Sequence, residues 1–129
     1  MATRFEELIA WQKARVLSMT VYQMTSEGAL TRDFSLRDQM RSAAVSIMAN
    51  IAEGFERRTP RDFAHFLNIS TGSSAELRSH FYVALDVGYL REESVHKALA
   101  MAEEVSKIIK ALRASVLKKS EKVKGSAVR

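Results

Sequence analysis

Val95, Ala98, Ala102, Val105, Ile109, Leu112 and Val116 recur at alternating steps of three and four. That spacing gathers all seven on one stripe of an α-helix, whereas a β-strand turns successive side chains to opposite faces. It is the seam of coiled-coil-like packing, and Leu99 and Ile108 widen it. A seam this long has to be covered by other helices, so the rest of the chain is read first for those partners.

Proline occurs once, at Pro60, and alternating apolar and polar runs bounded by turn residues are missing. Helix starts are well marked. Thr3 precedes Glu6, Ser35 precedes Asp38, and Thr59 precedes Asp62 with Pro60 at the first helical position. Helices are expected over residues 4–25, 35–57, 60–87 and 92–118. The third offers Phe63, Phe66, Leu67, Ser70, Ser74, Leu77, Phe81 and Leu85 on one side, and Gly88 suits a left-handed stop. The first is apolar over a broad arc, with Phe5, Leu8, Ile9, Val16 and Met19 pointing one way and Trp11 and Tyr22 another. Short loops make sequential helices antiparallel. The expected fold is all-α, an antiparallel up-and-down four-helix bundle over residues 1–118, followed by a basic, flexible tail over residues 119–129.

A chain of 129 residues is one domain and large enough to bury a core without staples. The absence of cysteine excludes disulfides, thiolate zinc sites and cysteine nucleophiles. Charges at Arg4, Glu6 and Glu7 interrupt any leader-like run, and no apolar stretch reaches membrane-spanning length. A cytoplasmic protein with no membrane partner is expected. The formal charge of +5 is unevenly placed. Residues 1–89 hold ten basic and ten acidic side chains, residues 90–129 ten against five. Such a tail is a solubilising terminus or a handle for an anionic partner.

The second helix is apolar on more than one side. Leu36, Met40, Ala44, Ile47, Ile51 and Phe55 form its core stripe, while Val45, Met48 and Ala52 form a second one. A surplus stripe points either to an oligomer contact or to a deep central helix. Polar and small residues cross the same helix at Ser46, Asn50, Glu53 and Gly54, and the third helix carries Gly72, Ser73 and Glu76. Gly costs a helix interior about 1 kcal/mol against Ala, so close backbone approach or a hydrogen-bonded contact between two facing ribbons is the expected compensation. A Glu53–Glu76 pair could in principle serve acid–base or metal chemistry. The paired Glu-x-x-His pattern of di-metal bundles is missing, as are phosphate-cradling loops and nucleophile elbows. No catalytic residue, metal or cofactor is expected.

"SIMANIAEG" at residues 46–54 and "FLNISTGSSAEL" at residues 66–77 resemble the signatures of the bacterial 23S rRNA-intervening-sequence proteins. The similarity runs from Phe5 to Leu90. It implies a four-helix bundle, a homo-oligomeric ring of pentameric form, a basic face, and no established enzymatic activity. The accessory variability protein of diversity-generating retroelements, which works beside a reverse transcriptase and RNA, shares that fold. The family's motif falls on Ser46, Ile47, Asn50, Ile51, Ala52, Glu53 and Gly54, then on Phe66, Leu67, Gly72, Ser73 and Glu76. Two departures stand out: Met48 occupies a position where the family often has proline, and Arg41 is followed by Ser42 rather than a second arginine.

Two functions remain open from the sequence. One is RNA or DNA binding through Arg41, Arg57, Arg58, Arg61, Lys118, Lys119, Lys122 and Lys124. The other is a protein-interaction scaffold without a nucleic-acid role, with Val45, Met48 and Ala52 as its contact surface.

Overall fold

Helices occupy Ile9–Met24 (α1), Phe34–Glu56 (α2), Pro60–Asp86 (α3) and Glu92–Val128 (α4). The computed structural model describes the backbone of residues 1–128 and the side chains of residues 1–122, and no strand occurs among them. Each helix packs on the next in sequence, and α4 closes back on α1. The direction alternates. Ser46 of α2 meets Ser73 of α3, and Gly54 meets Phe63, so α3 descends as α2 climbs. Ser74 bonds to Ala102 and Arg113 to Ala64, which reverses α4 against α3. The expected antiparallel up-and-down bundle is the fold found.

The helix ends follow their caps. Thr59 accepts from the Asp62 N–H at 3.2 Å with Pro60 in the first turn, as the sequence indicates. At α2 the cap is Asp33 rather than Ser35: its carboxylate accepts from the Leu36 N–H at 3.1 Å and starts the helix at Phe34. After α3, Gly88 takes φ +81° and the Tyr89 N–H reaches the Ala84 carbonyl at 2.9 Å. The Tyr89 hydroxyl then donates to Asp33 at 3.0 Å, joining two caps, and the carboxylate beside it pushes the phenol above its ordinary pKa. Thr3 grips the Glu7 carboxylate at 2.8 Å, but the helix it starts is a single turn over Phe5–Glu7. Leu8 is extended, and α1 begins at Ile9.

The α4 seam is buried from Val95 to Ile109, with Leu112 and Val116 half-buried. Past Val116 the helix continues to Val128, ten residues beyond the end expected from the seam. Residues 117–128 contain four lysines and no proline, and the packed helix before them supplies the nucleus, so the helix propagates past the last apolar residue of the seam. In α2 and α3 the expected core residues are buried or half-buried. In α1 the broad apolar arc of the sequence leaves the buried face open, and the structure decides it. Its buried line is Ala10, Ala14, Leu17, Ser18 and Val21, and Ile9, Val16 and Met19 point outward. Small Ala10 and Ala14 let the helix sit close to its neighbours, an advantage that a count of large apolar residues misses. Short hydroxyls line the seams in the same way. Ser18 donates to the Ala44 carbonyl, Ser70 to Ile47, and Ser106 to Ser74, so these buried hydroxyls are paired across helices.

Candidate nucleic-acid interface

The antiparallel order brings together basic residues far apart in sequence. The turn between α2 and α3 and the C-terminal part of α4 lie at one end of the bundle, called the base below. Arg113 Nε donates to the Ala64 carbonyl at 3.0 Å and fixes α4 against the start of α3. Arg61 and His65 share a cleft there with Arg113, Leu117, Ser120 and Glu121. Arg58 and Lys119 share a second groove across α2, α3 and α4. Arg57 is engaged at 2.9 Å by Glu53 and lies 5.0 Å from the Phe66 ring centre. Arg58, Arg61, Lys118, Lys119 and Lys122 are exposed, and among the described residues none of them has a carboxylate partner. The Lys124 side chain lies outside the described residues.

Arg58 has φ +70°, a left-handed conformation. For a residue with a side chain this costs on the order of 1 kcal/mol, and glycine or asparagine is the usual occupant of a helix C-terminal turn. Arg41 stands apart from the basic end. Its Nε donates to Thr25 at 2.7 Å, a second guanidinium nitrogen reaches Ser26 at 3.2 Å, and the group lies 4.6 Å from the Tyr22 ring centre. It pins the end of α1 to α2 at the opposite end of the molecule.

The helical signature divides in two. Ser46 and Ser73 hydroxyls meet at 2.8 Å, and Asn50 donates to the Ser46 hydroxyl and carbonyl at 3.0 and 2.8 Å. Gly54 is buried, and a Cβ there would lie 2.7 Å from the Phe66 Cβ. These four form the expected close, hydrogen-bonded contact. Glu53, Gly72 and Glu76 do not join it. Glu53 pairs with Arg57 on its own helix and Glu76 with His80 at 3.3 Å. From the Ser46–Ser73 level, the two carboxylates lie toward opposite ends, about 15 Å apart along the bundle. Gly72 is exposed, and a Cβ added to it would meet nothing within 4 Å, so the close approach expected of it is absent within the chain. Among the described residues no group of three metal-ligating side chains gathers anywhere.

The second stripe of α2 is thinner than expected. Val45 is 40% exposed, but Met48 is half-buried, its sulfur 3.4 Å from the Ser18 hydroxyl, and Ala52 is half-buried. The wider exposed apolar surface lies on α1, part of the broad apolar arc read from the sequence: Ile9, Val16 and Met19 are 56, 53 and 59% exposed. Tyr22 and Val45 line one shallow depression with Asp38, Arg41 and Ser42, which places Val45 beside the end of α1. Sequence reasoning missed the groove under Arg58 and Lys119. Its apolar lining includes Phe55, Leu112 and Val116, the last members of two core stripes, and such terminal positions are the signal that could have located it.

No helix among the described residues is long and apolar enough to cross a membrane. The fold is similar to a crystal structure of a protein of unknown function from the S23 ribosomal protein family of Bacteroides thetaiotaomicron. The TM-score is 0.74 at 18% identity, over 81% of this chain and 98% of that one. No curated protein matches the chain. The family model described as 23S rRNA-intervening sequence protein matches residues 6–111, a span that runs from the single turn before α1 into the middle of α4 and includes both helical signatures. The chain therefore belongs to the 23S rRNA-intervening sequence protein family.

Proposed function

We propose that this chain is a non-enzymatic, cytoplasmic RNA-binding bundle that acts as a homo-oligomer and neutralises phosphates with the base of the bundle. The observation that carries the reading is the meeting of Arg58, Arg61, Lys118, Lys119 and Lys122 at one end without carboxylate partners among the described residues. Surface cations left unpaired keep their full attraction for a polyanion, and an oligomer multiplies weak sites through avidity. Self-association is supported by the outer face of α1 with Val45, and the resemblance implies a pentameric ring.

Phosphate contacts release counterions, so affinity for single-stranded RNA should fall linearly on a log–log plot against salt, by about 0.7 in slope per contact. Replacing Arg61, Lys118 and Lys122 together by alanine should make the slope shallower by about 2. Fluorescence anisotropy between about 50 and 200 mM salt measures both quantities. If the intact protein binds neither RNA nor DNA at about 50 mM salt, the scaffold function takes its place.

A further inference from the structure

The groove at the base has a volume of about 380 Å³, within the range of clefts that take small organic groups. Its floor is apolar and partly aromatic, built from Leu8, Phe55, Phe63, Leu112 and Val116. Phe55 and Phe63 meet edge to face with centroids 5.9 Å apart, so the aromatic surface is held rigidly. The charged residues of the lining are Arg58 and Lys119, both cationic; the neighbours Glu56 and Asp62 do not line it. An apolar, partly aromatic floor under a cationic rim is complementary to a nucleotide, whose base has apolar faces and whose phosphate sits one sugar away. The backbone at Arg58 adds an independent observation. Glycine would hold φ +70° without strain, yet this position carries an exposed arginine that lines the groove. Strain of this kind persists where the side chain has a task that the easier residue cannot perform.

We infer that the groove receives one unstacked base of a single-stranded RNA, with the flanking phosphates held by Arg58 and Lys119. This rests on the RNA-binding reading above and assigns it a location and a strand preference. Arg61, in the neighbouring cleft, and Lys118 and Lys122 of α4 offer further phosphate contacts at the same end, whereas a duplex with stacked, paired bases cannot place a base in the groove.

Three probes of equal charge test it: oligouridine, the same backbone lacking bases, and a paired RNA with equal phosphate count. Oligouridine should bind about tenfold more tightly than the abasic strand or the duplex. Arg58→Gly should lower oligouridine affinity about tenfold, while its melting temperature stays at or above the parent's because the left-handed strain is relieved. Ser115→Leu, which fills the exposed α4 side of the groove with a branched side chain that offers no stacking face, should bind oligouridine and the abasic strand equally. Equal binding of base-bearing and abasic strands by the parent protein overturns the inference and leaves the RNA-binding reading standing. Full oligouridine affinity in Arg58→Gly also overturns it. Displacement of oligouridine by an acidic, leucine-bearing peptide at lower concentration than by free oligouridine assigns the groove to protein instead. Absence of all RNA binding removes the functional reading itself.

Discussion

Gly54→Leu should destabilise the bundle by about 3 kcal/mol, whereas Gly72→Ala should stabilise it by about 0.5–1 kcal/mol. The two glycines sit on adjacent helices in similar sequence surroundings, and only the structure separates them. A Cβ at Gly54 meets the Phe66 Cβ at 2.7 Å, the Phe63 ring at 3.1 Å and the Phe63 carbonyl at 3.3 Å. Two of those atoms belong to, or are attached directly to, the α3 backbone, so no side-chain rotation makes room and the helices have to part. Even Gly54→Ala should lose stability, because the gain of about 1 kcal/mol in helix propensity is smaller than the packing penalty. At Gly72 the added methyl meets nothing and the propensity gain stands alone. Denaturant melts of the variants measure the signs. A Gly54→Ala protein at least as stable as the parent would show that α2 and α3 separate without cost.

The same contrast marks how far the sequence could be read. Three- and four-residue spacing assigned the seams of α2, α3 and α4 correctly, because their large apolar residues fall on one stripe and their polar residues on another. In α1 that signal fails, since Ile9, Val16 and Met19 outweigh Ala10 and Ala14 in size and hydrophobicity. Closeness of packing rather than residue size decides which face is buried, and alanine is favoured where helices approach. The polar signature was legible as a contact, but its membership depended on rotation about the helix axis: Asn50 turns into the seam, Glu53 turns out to Arg57. The basic end was legible only in pieces. Counting charge along the chain separates Arg57, Arg58 and Arg61 from the C-terminal lysines, and the antiparallel return of α4 joins them. The left-handed backbone of Arg58 had no sequence signal, because "ERRTPR" contains no glycine at the turn.

Val16→Glu with Met19→Glu should convert an oligomer into monomers. Intact protein at micromolar concentration should scatter light as a particle several times the 14.5 kDa chain mass. Both side chains are more than half exposed and point away from the α1 core line, so charges there leave the bundle itself intact. In an association that covers this face, each carboxylate would lose its water without gaining a cation, at a cost of several kcal/mol. Since 1.4 kcal/mol is tenfold in affinity, two such charges should weaken association by at least about a thousandfold. Val45→Glu should act in the same direction and less strongly, because that residue is less exposed and lies at the α2 margin of the surface. Circular dichroism confirms that the variants keep their helices, and light scattering after size exclusion reads their mass. Dissociation by Val45→Glu alone would move the contact to α2 and restore Val45, Met48 and Ala52 as its centre. A parent protein that is already monomeric at micromolar concentration removes self-association from the proposed function, and with it the avidity that weak phosphate contacts at the base require.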